Sequence, residues 1–127
     1  TDGKKDPNHS EKNVIDTFRM LKDKYLDKNI PVYIGECGAV NRDEERAKSF
    51  QRYWFEFVFK AAREYGLCPI VWDNGARSTG NESFGYIDHA DGSFINDSGP
   101  VIDIMYKAFN TTDPSYTIKS VYDNAPR

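Results

Sequence analysis

A glutamate, a tryptophan and an asparagine stand at the ends of two short apolar runs, where their types and positions suit them to chemistry. Glu36 closes the run Ile30-Pro31-Val32-Tyr33-Ile34 and lies between Gly35 and Gly38. Trp72 closes the run Leu67-Cys68-Pro69-Ile70-Val71, and Asp73-Asn74-Gly75 follows it. A carboxylate can act as a nucleophile when it is ionised and held rigidly, which favours a strand end over a loose loop. The carboxyl ends of buried strands are also where α/β folds assemble their sites. The two glycines beside Glu36 let the backbone turn sharply or be approached closely. The plainer readings are an ion pair for Glu36, an aromatic closing a core for Trp72, and a turn for Asn74-Gly75.

The elements around these residues follow from hydrophobic spacing. Residues 1–9 read as a polar loop. Ser10 then caps a helix whose apolar positions are Val14, Phe18, Leu21 and Tyr25, ending near Asp27-Lys28-Asn29. The first run is short and β-branched, as a strand buried on both faces would be. Its proline falls where a strand does not yet need an N–H. Asp43 is expected to cap a second helix, with Glu44 and Glu45 at the positive end of its dipole. The apolar stripe of that helix reads Phe50, Trp54, Phe57, Val58, Ala61 and Tyr65, and Gly66 terminates it. The second strand follows at once. Tight strand–helix–strand connections make the two strands parallel.

From Asp73 to Gly99 the chain is polar, with Phe84, Tyr86 and Phe94 interspersed and Asp91-Gly92 as a hairpin-type turn. A loop of that length is usually functional or disordered. Asp88 and His89 are expected to serve its own hydrogen bonding. Gly99-Pro100 opens a third helix with Val101, Ile102, Met105, Tyr106 and Phe109 on one face. Residues 110–127 read as a polar extension containing a short strand, Tyr116–Tyr122.

Composition narrows the function classes. At 127 residues there is room for one domain, whereas a complete (β/α)8 barrel takes roughly 250. A net charge of −3 argues against a nucleic-acid partner held through its phosphates. No apolar run approaches the roughly 20 residues of a membrane span. The start, Thr1-Asp2-Gly3-Lys4-Lys5-Asp6-Pro7, lacks the apolar core of a signal peptide. The chain is therefore either cytosolic or preceded by a segment that carries the signal. Cys37 and Cys68 read as two unpaired packing thiols, although adjacent strands could bring them within disulfide reach.

Two parallel strands alone leave both edges of their sheet unpaired, and parallel sheets are normally covered and many-stranded. The inner faces of three helices would also have little to pack against. The order helix–strand–helix–strand–helix is thus expected to be one end of a larger α/β fold. The residues at the strand ends agree. Val32-Tyr33-Ile34-Gly35-Glu36-Cys37-Gly38-Ala39, the helix carrying Tyr53 and Ala61-Ala62-Arg63-Glu64-Tyr65-Gly66, and Ile70-Val71-Trp72-Asp73-Asn74-Gly75 together resemble the family five glycoside hydrolases, the large cellulase family. Trp72-Asp73-Asn74-Gly75 with Phe84-Gly85-Tyr86-Ile87-Asp88 is most similar to its endoglucanase and xyloglucanase branch.

The resemblance covers about residues 10 to 109. It implies the C-terminal part of a (β/α)8 TIM barrel, about helix six to helix eight, incomplete on its own. Residues 1–109 would then belong to the catalytic barrel, and residues 110–127 would be the extension. By the same resemblance Glu36 is the catalytic nucleophile and Trp72 the sugar platform. The family's acid/base glutamate has no counterpart here, nor do its histidine and tyrosine of strand six, and His9 fits no such motif. Cys37 stands where phenylalanine is common.

What is implied is a secreted, retaining, endo-acting hydrolase of β-1,4-glucan-type polysaccharide (cellulose, mixed-linkage glucan or xyloglucan), with no cofactor and no metal. Its partners are the polysaccharide and the N-terminal part of the same barrel, which carries the acid/base and the signal peptide. A glucose ring presents axial C–H groups that pack on an aromatic face, which Trp72 could supply, and Asn74 could donate to a sugar hydroxyl. The alternative is a non-catalytic α/β module that binds polysaccharide or a protein.

Overall fold

The computed structural model describes residues 10–126, so the polar loop read for residues 1–9, with His9, lies outside them. Helix α1 spans Glu11–Lys24, strand β1 Tyr33–Cys37, helix α2 Glu45–Tyr65, strand β2 Cys68–Val71, helix α3 Gly99–Asn110 and helix α4 Ile118–Asp123. The strands pair in parallel as a two-stranded sheet.

Ser10 caps α1 by accepting the Asn13 N–H at 3.3 Å. A 3₁₀ turn at Leu26–Lys28 follows, and Asn29, with φ 61°, reverses the chain into β1. The start of α2 differs from expectation. Glu44, not Asp43, is the capping position, and its side chain makes no capping bond. The carboxylate of Asp43 instead accepts the Thr79 hydroxyl at 2.7 Å. A local helix cap is thus exchanged for a tie to the long loop. Glu45, in the first turn, pairs with Arg52 one face along.

Helix α2 is the centre of the molecule, and one stripe does not describe it. Phe55, Phe59 and Ala62, outside the expected stripe, are buried along with Phe57, Val58 and Ala61, whereas Phe50 is exposed. An amphipathic pattern assumes one covered side. Here α1, α3 and α4 all pack on α2, and β2 follows it closely. Phe55 meets Tyr86 edge-to-face at 5.6 Å, and Phe18 of α1 meets Tyr65 at 6.5 Å. The expectation that the helices would have little to pack against is therefore wrong. They bury a continuous core among themselves. On α3 the buried positions are Val101, Met105 and Ala108, and Tyr106 is 72% exposed.

The expected strand Tyr116–Tyr122 is helix α4. Thr117 accepts the Ser120 N–H, and Ser120 Oγ in turn accepts the Thr117 N–H, a reciprocal cap that favours helix over strand. The segment docks on α2: Tyr116 donates its hydroxyl to Glu56 at 2.7 Å, and the Ile118 N–H reaches Glu64 at 3.0 Å. The Lys60 and Lys107 ammonium groups lie 5.0 and 4.8 Å from the Tyr116 ring.

The strands are not buried on both faces. Val32, Ile34, Cys37 and Val71 pack against the helical core, but Tyr33 is 70%, Ile70 45% and Trp72 43% exposed. Helices cover one face of the sheet, and no described element covers the other.

Candidate active site

Strict alternation would place Glu36 on the same face as Val32 and Ile34, beneath the helices. A buried unpaired carboxylate there would be costly. The strand avoids this with a bulge. Ile34 pairs with Pro69 and Cys37 with Val71, so β1 carries one more residue than β2 between these points. Gly35 and Glu36 are both exposed, and the inward phase resumes at Cys37. A bulge of this kind re-aims a side chain, and Gly35 gives the backbone room for it. Glycine inside a strand run is the sequence signal of a bulge.

The ladder continues one step past β2, where the Trp72 N–H donates to the Cys37 carbonyl at 2.9 Å. Trp72 thus leaves its strand beside the residue that follows Glu36. Its side chain is 43% exposed and lies outside the helical core.

Asp73 and Asn74 turn both side chains onto the loop behind them. Asp73 Oδ1 accepts the Gly75 N–H at 2.8 Å. Its Oδ2 accepts those of Tyr86 and Ile87 at 3.2 and 3.0 Å. Asn74 Oδ1 accepts from the N–H groups of Ala76 and Phe84, and its amide donates to the Glu82 carbonyl at 2.7 Å. The turn reading of Asn74 is therefore realised, and the side chain remains exposed. The loop closes with an antiparallel bridge between Ile87 and Phe94 around Asp91-Gly92. Asp88 serves the loop as expected, pairing with Arg77 and accepting the Ala90 N–H, and His89 Nε2 lies 3.5 Å from Asp73.

A second set of bonds ties this loop to the segment after Glu36. Asn41, buried, donates its backbone N–H to Ser83 at 2.7 Å and its side-chain amide to the Gly85 carbonyl at 2.7 Å. Gln51 of α2 donates to the Ala39 carbonyl and to Asn41 Oδ1. The Tyr86 hydroxyl donates to Ala39 at 2.6 Å, and burial pushes its pKa up to about 12. Gly85 is obligatory, because a Cβ there would overlap the Ala76 backbone. Asn41, Gln51, Asp73 and Tyr86 escape sequence reasoning as site-builders. Only Asp73, preceding Asn-Gly, carries a local signal, that of an Asx turn.

The two cysteines are unpaired. Cys37 points to the helical side, donates to the Ile70 carbonyl at 3.3 Å, and is pushed up to about 11 by burial. Cys68 is exposed. Among the described residues no group of three or more His, Cys, Asp or Glu could hold a metal ion.

One strand–helix–strand unit, with the functional candidates at the carboxyl ends of its parallel strands, is the building unit of α/β folds. The comparisons agree. The family profile for cellulases, glycosyl hydrolase family 5, matches residues 1–78. Endoglucanase A of Ruminococcus albus is 42% identical over 89 residues, 67% of this chain and 23% of that protein. The structure superposes on a Bacteroidetes-affiliated family 5 cellulase linked with a polysaccharide utilisation locus with a TM-score of 0.92 at 36% identity, covering 96% of this chain and 31% of the other. On a broad-specificity endoglucanase from Bacteroides salanitronis the TM-score is 0.77 at 38% identity, covering 85% and 30%. The chain belongs to glycosyl hydrolase family 5. It spans less than a third of the length of these relatives.

Proposed function

We propose that this chain is the last part of the catalytic barrel of a retaining endo-β-glucanase, about its sixth helix through its eighth, and that it supplies the nucleophile. The observation that carries this reading is the bulge that turns Glu36 out of the helical core at a strand end adjoining an exposed Trp72. Neither feature helps the core. A carboxylate re-aimed at the cost of a regular ladder, beside an uncovered indole, fits a sugar cleft.

In such a cleft the Glu36 carboxylate attacks the anomeric carbon while a second carboxylic acid protonates the departing glycosidic oxygen. The glycosyl–enzyme ester is then hydrolysed by water that the second carboxylate deprotonates. The two carboxyl groups must stand roughly 5–5.5 Å apart. We assign the second to a preceding segment of the same barrel, whose strands would continue this sheet from its unpaired edges and close it around the uncovered face. Trp72 offers its ring to the axial C–H groups of a glucose unit. Asn74 spends one amide N–H on Glu82, and its other N–H can meet a sugar hydroxyl. The substrate we assign is a β-1,4-glucan type of plant polysaccharide, in line with the endoglucanase and cellulase names of the relatives, and we place the enzyme outside the cell.

The test joins residues 1–127 to a polypeptide carrying the first six strands and treats the pair with a 2-fluoro glycoside inactivator. A label on Glu36 by mass spectrometry, with activity in the pair and none in either piece, is expected. A label on another carboxylate, or robust hydrolysis by residues 1–127 alone, would overturn the reading.

A further inference from the structure

The loop after Trp72 is held by the residue next to it, and the hold extends to the turn after Glu36. Three backbone N–H groups converge on the Asp73 carboxylate, from Gly75, Tyr86 and Ile87. A carboxylate that accepts several N–H bonds is a strong anchor. The bonds fold the intervening segment back against the end of β2. Tyr86, gathered in this way, is buried and places its hydroxyl on the Ala39 carbonyl. Phe84, in the same returning segment, lies on Gly38, where a Cβ would come within 3.2 Å of its ring. One carboxylate therefore ties the main chain after Trp72 to the main chain after Glu36.

We infer that Asp73 is a positioning residue, which sets the spacing between the Glu36 carboxylate and the Trp72 ring through the loop that both strand ends share. The inference rests on the proposed roles of Glu36 and Trp72. Neither asparagine nor alanine satisfies the geometry at this position. Asparagine has one acceptor oxygen, so it can serve Gly75 or the Tyr86–Ile87 pair but not both, and it turns an amide N–H toward the other. Alanine serves neither. A shift of about 1 Å in a reacting group can lower turnover about a hundredfold, so losing this anchor should register in chemistry as well as in folding.

The experiment compares Asp73→Asn and Asp73→Ala in the complete enzyme. Active sites are counted by 2-fluoro glycoside trapping. Trp72 is followed as a 5-fluorotryptophan resonance, assigned by its loss in Trp72→Phe. Turnover per trapped site is expected to fall about tenfold for Asn and about a hundredfold for Ala. The Trp72 resonance is expected to move in both, with a weaker response to cello-oligosaccharide. Fewer trapped sites with unchanged turnover per site, or an unmoved Trp72 resonance, would overturn the inference and leave Asp73 a folding residue only. The Asn variant keeps part of the anchor and remains informative if the Ala variant does not fold. A Glu36→Gln enzyme that still turns over would instead overturn the nucleophile assignment, and the Trp72 resonance would still report what Asp73 does to the platform.

Discussion

On the helical side of the sheet, Val32, Ile34, Cys37 and Val71 pack against a core centred on Phe55, Phe59, Tyr86 and Met105. On the other side, Tyr33, Glu36, Ile70 and Trp72 are exposed. The same two short strands build both faces. The helical side is closed within the chain, with aromatic pairs, small residues where helices approach, and a hydrogen-bonded polar layer around Asn41 and Gln51. The other side leaves large apolar groups partly in water, each forgoing a share of the about 1.5–3 kcal/mol that full burial gives. A contiguous set of such groups marks a surface built for something outside the folded segment. The difference separates what holds this segment together from the face on which the proposed sugar cleft is placed.

The sharpest way to break that separation is Glu36→Gln. In the assembled enzyme turnover should drop at least about 10⁴-fold, ~5.5 kcal/mol of barrier, while urea unfolding of the chain stays within about 0.5 kcal/mol of wild type. A large loss of stability would mean that Glu36 belongs to the closed side after all. Phe55→Ala should do the reverse, costing about 3–5 kcal/mol in denaturant titration by opening a cavity under α2 and against Tyr86. Whatever enzyme still folds should retain its turnover per trapped site.

Trp72→Ala sits between these extremes. Calorimetry should show oligosaccharide binding weakened by ~1 kcal/mol or more, the order of an aromatic stacking contact. The unfolding midpoint of the chain should change less than for Phe55→Ala, because Trp72 is 43% exposed and Phe55 is fully buried. A binding loss fully matched by unfolding would return Trp72 to a packing role.

The smallest effect is a titration. Burial raises the Cys37 thiol from 9.0 to about 11 and the Tyr86 hydroxyl from 10.0 to about 12, so folding favours their neutral forms. Both contributions are fully present well below pH 9, where neither state ionises. They are lost as the pH rises through the folded values, because the unfolded chain gives up these protons first. Denaturant midpoints should therefore be flat up to about pH 9 and fall between about 9 and 12. Below that window a thiol reagent should modify exposed Cys68 well before Cys37, and equal rates would contradict the half-buried placement of Cys37.

Much of this was legible in the chain because it is local. Ser10 announces α1, Gly66 ends α2, and Asp91-Gly92 turns a bridge, each through backbone chemistry within a few residues. The strand-end motifs around Glu36 and Trp72 are equally local, and they pointed to the right family. Periodicity failed on α2 because it assumes one apolar side, and this helix is packed on several. It failed on residues 116–122 because a reciprocal Thr117–Ser120 cap outweighs a short β-prone run. The capping expectation failed at Asp43 because a distant threonine competes for the carboxylate.

By itself the sequence determined the order of helices and strands from α1 to α3, the parallel pairing of the strands, the residues at their ends and the family to which they belong. All of these follow from hydrophobic spacing, turn chemistry and short motifs. Only the tertiary structure decided which way Glu36 faces, that Trp72 stands clear of the helical core, and that Asp73 gathers the far end of its own loop. Each of these depends on groups distant in sequence: a one-residue excess of β1 over β2, the face the helices leave uncovered, and N–H groups more than ten residues from the carboxylate they bind.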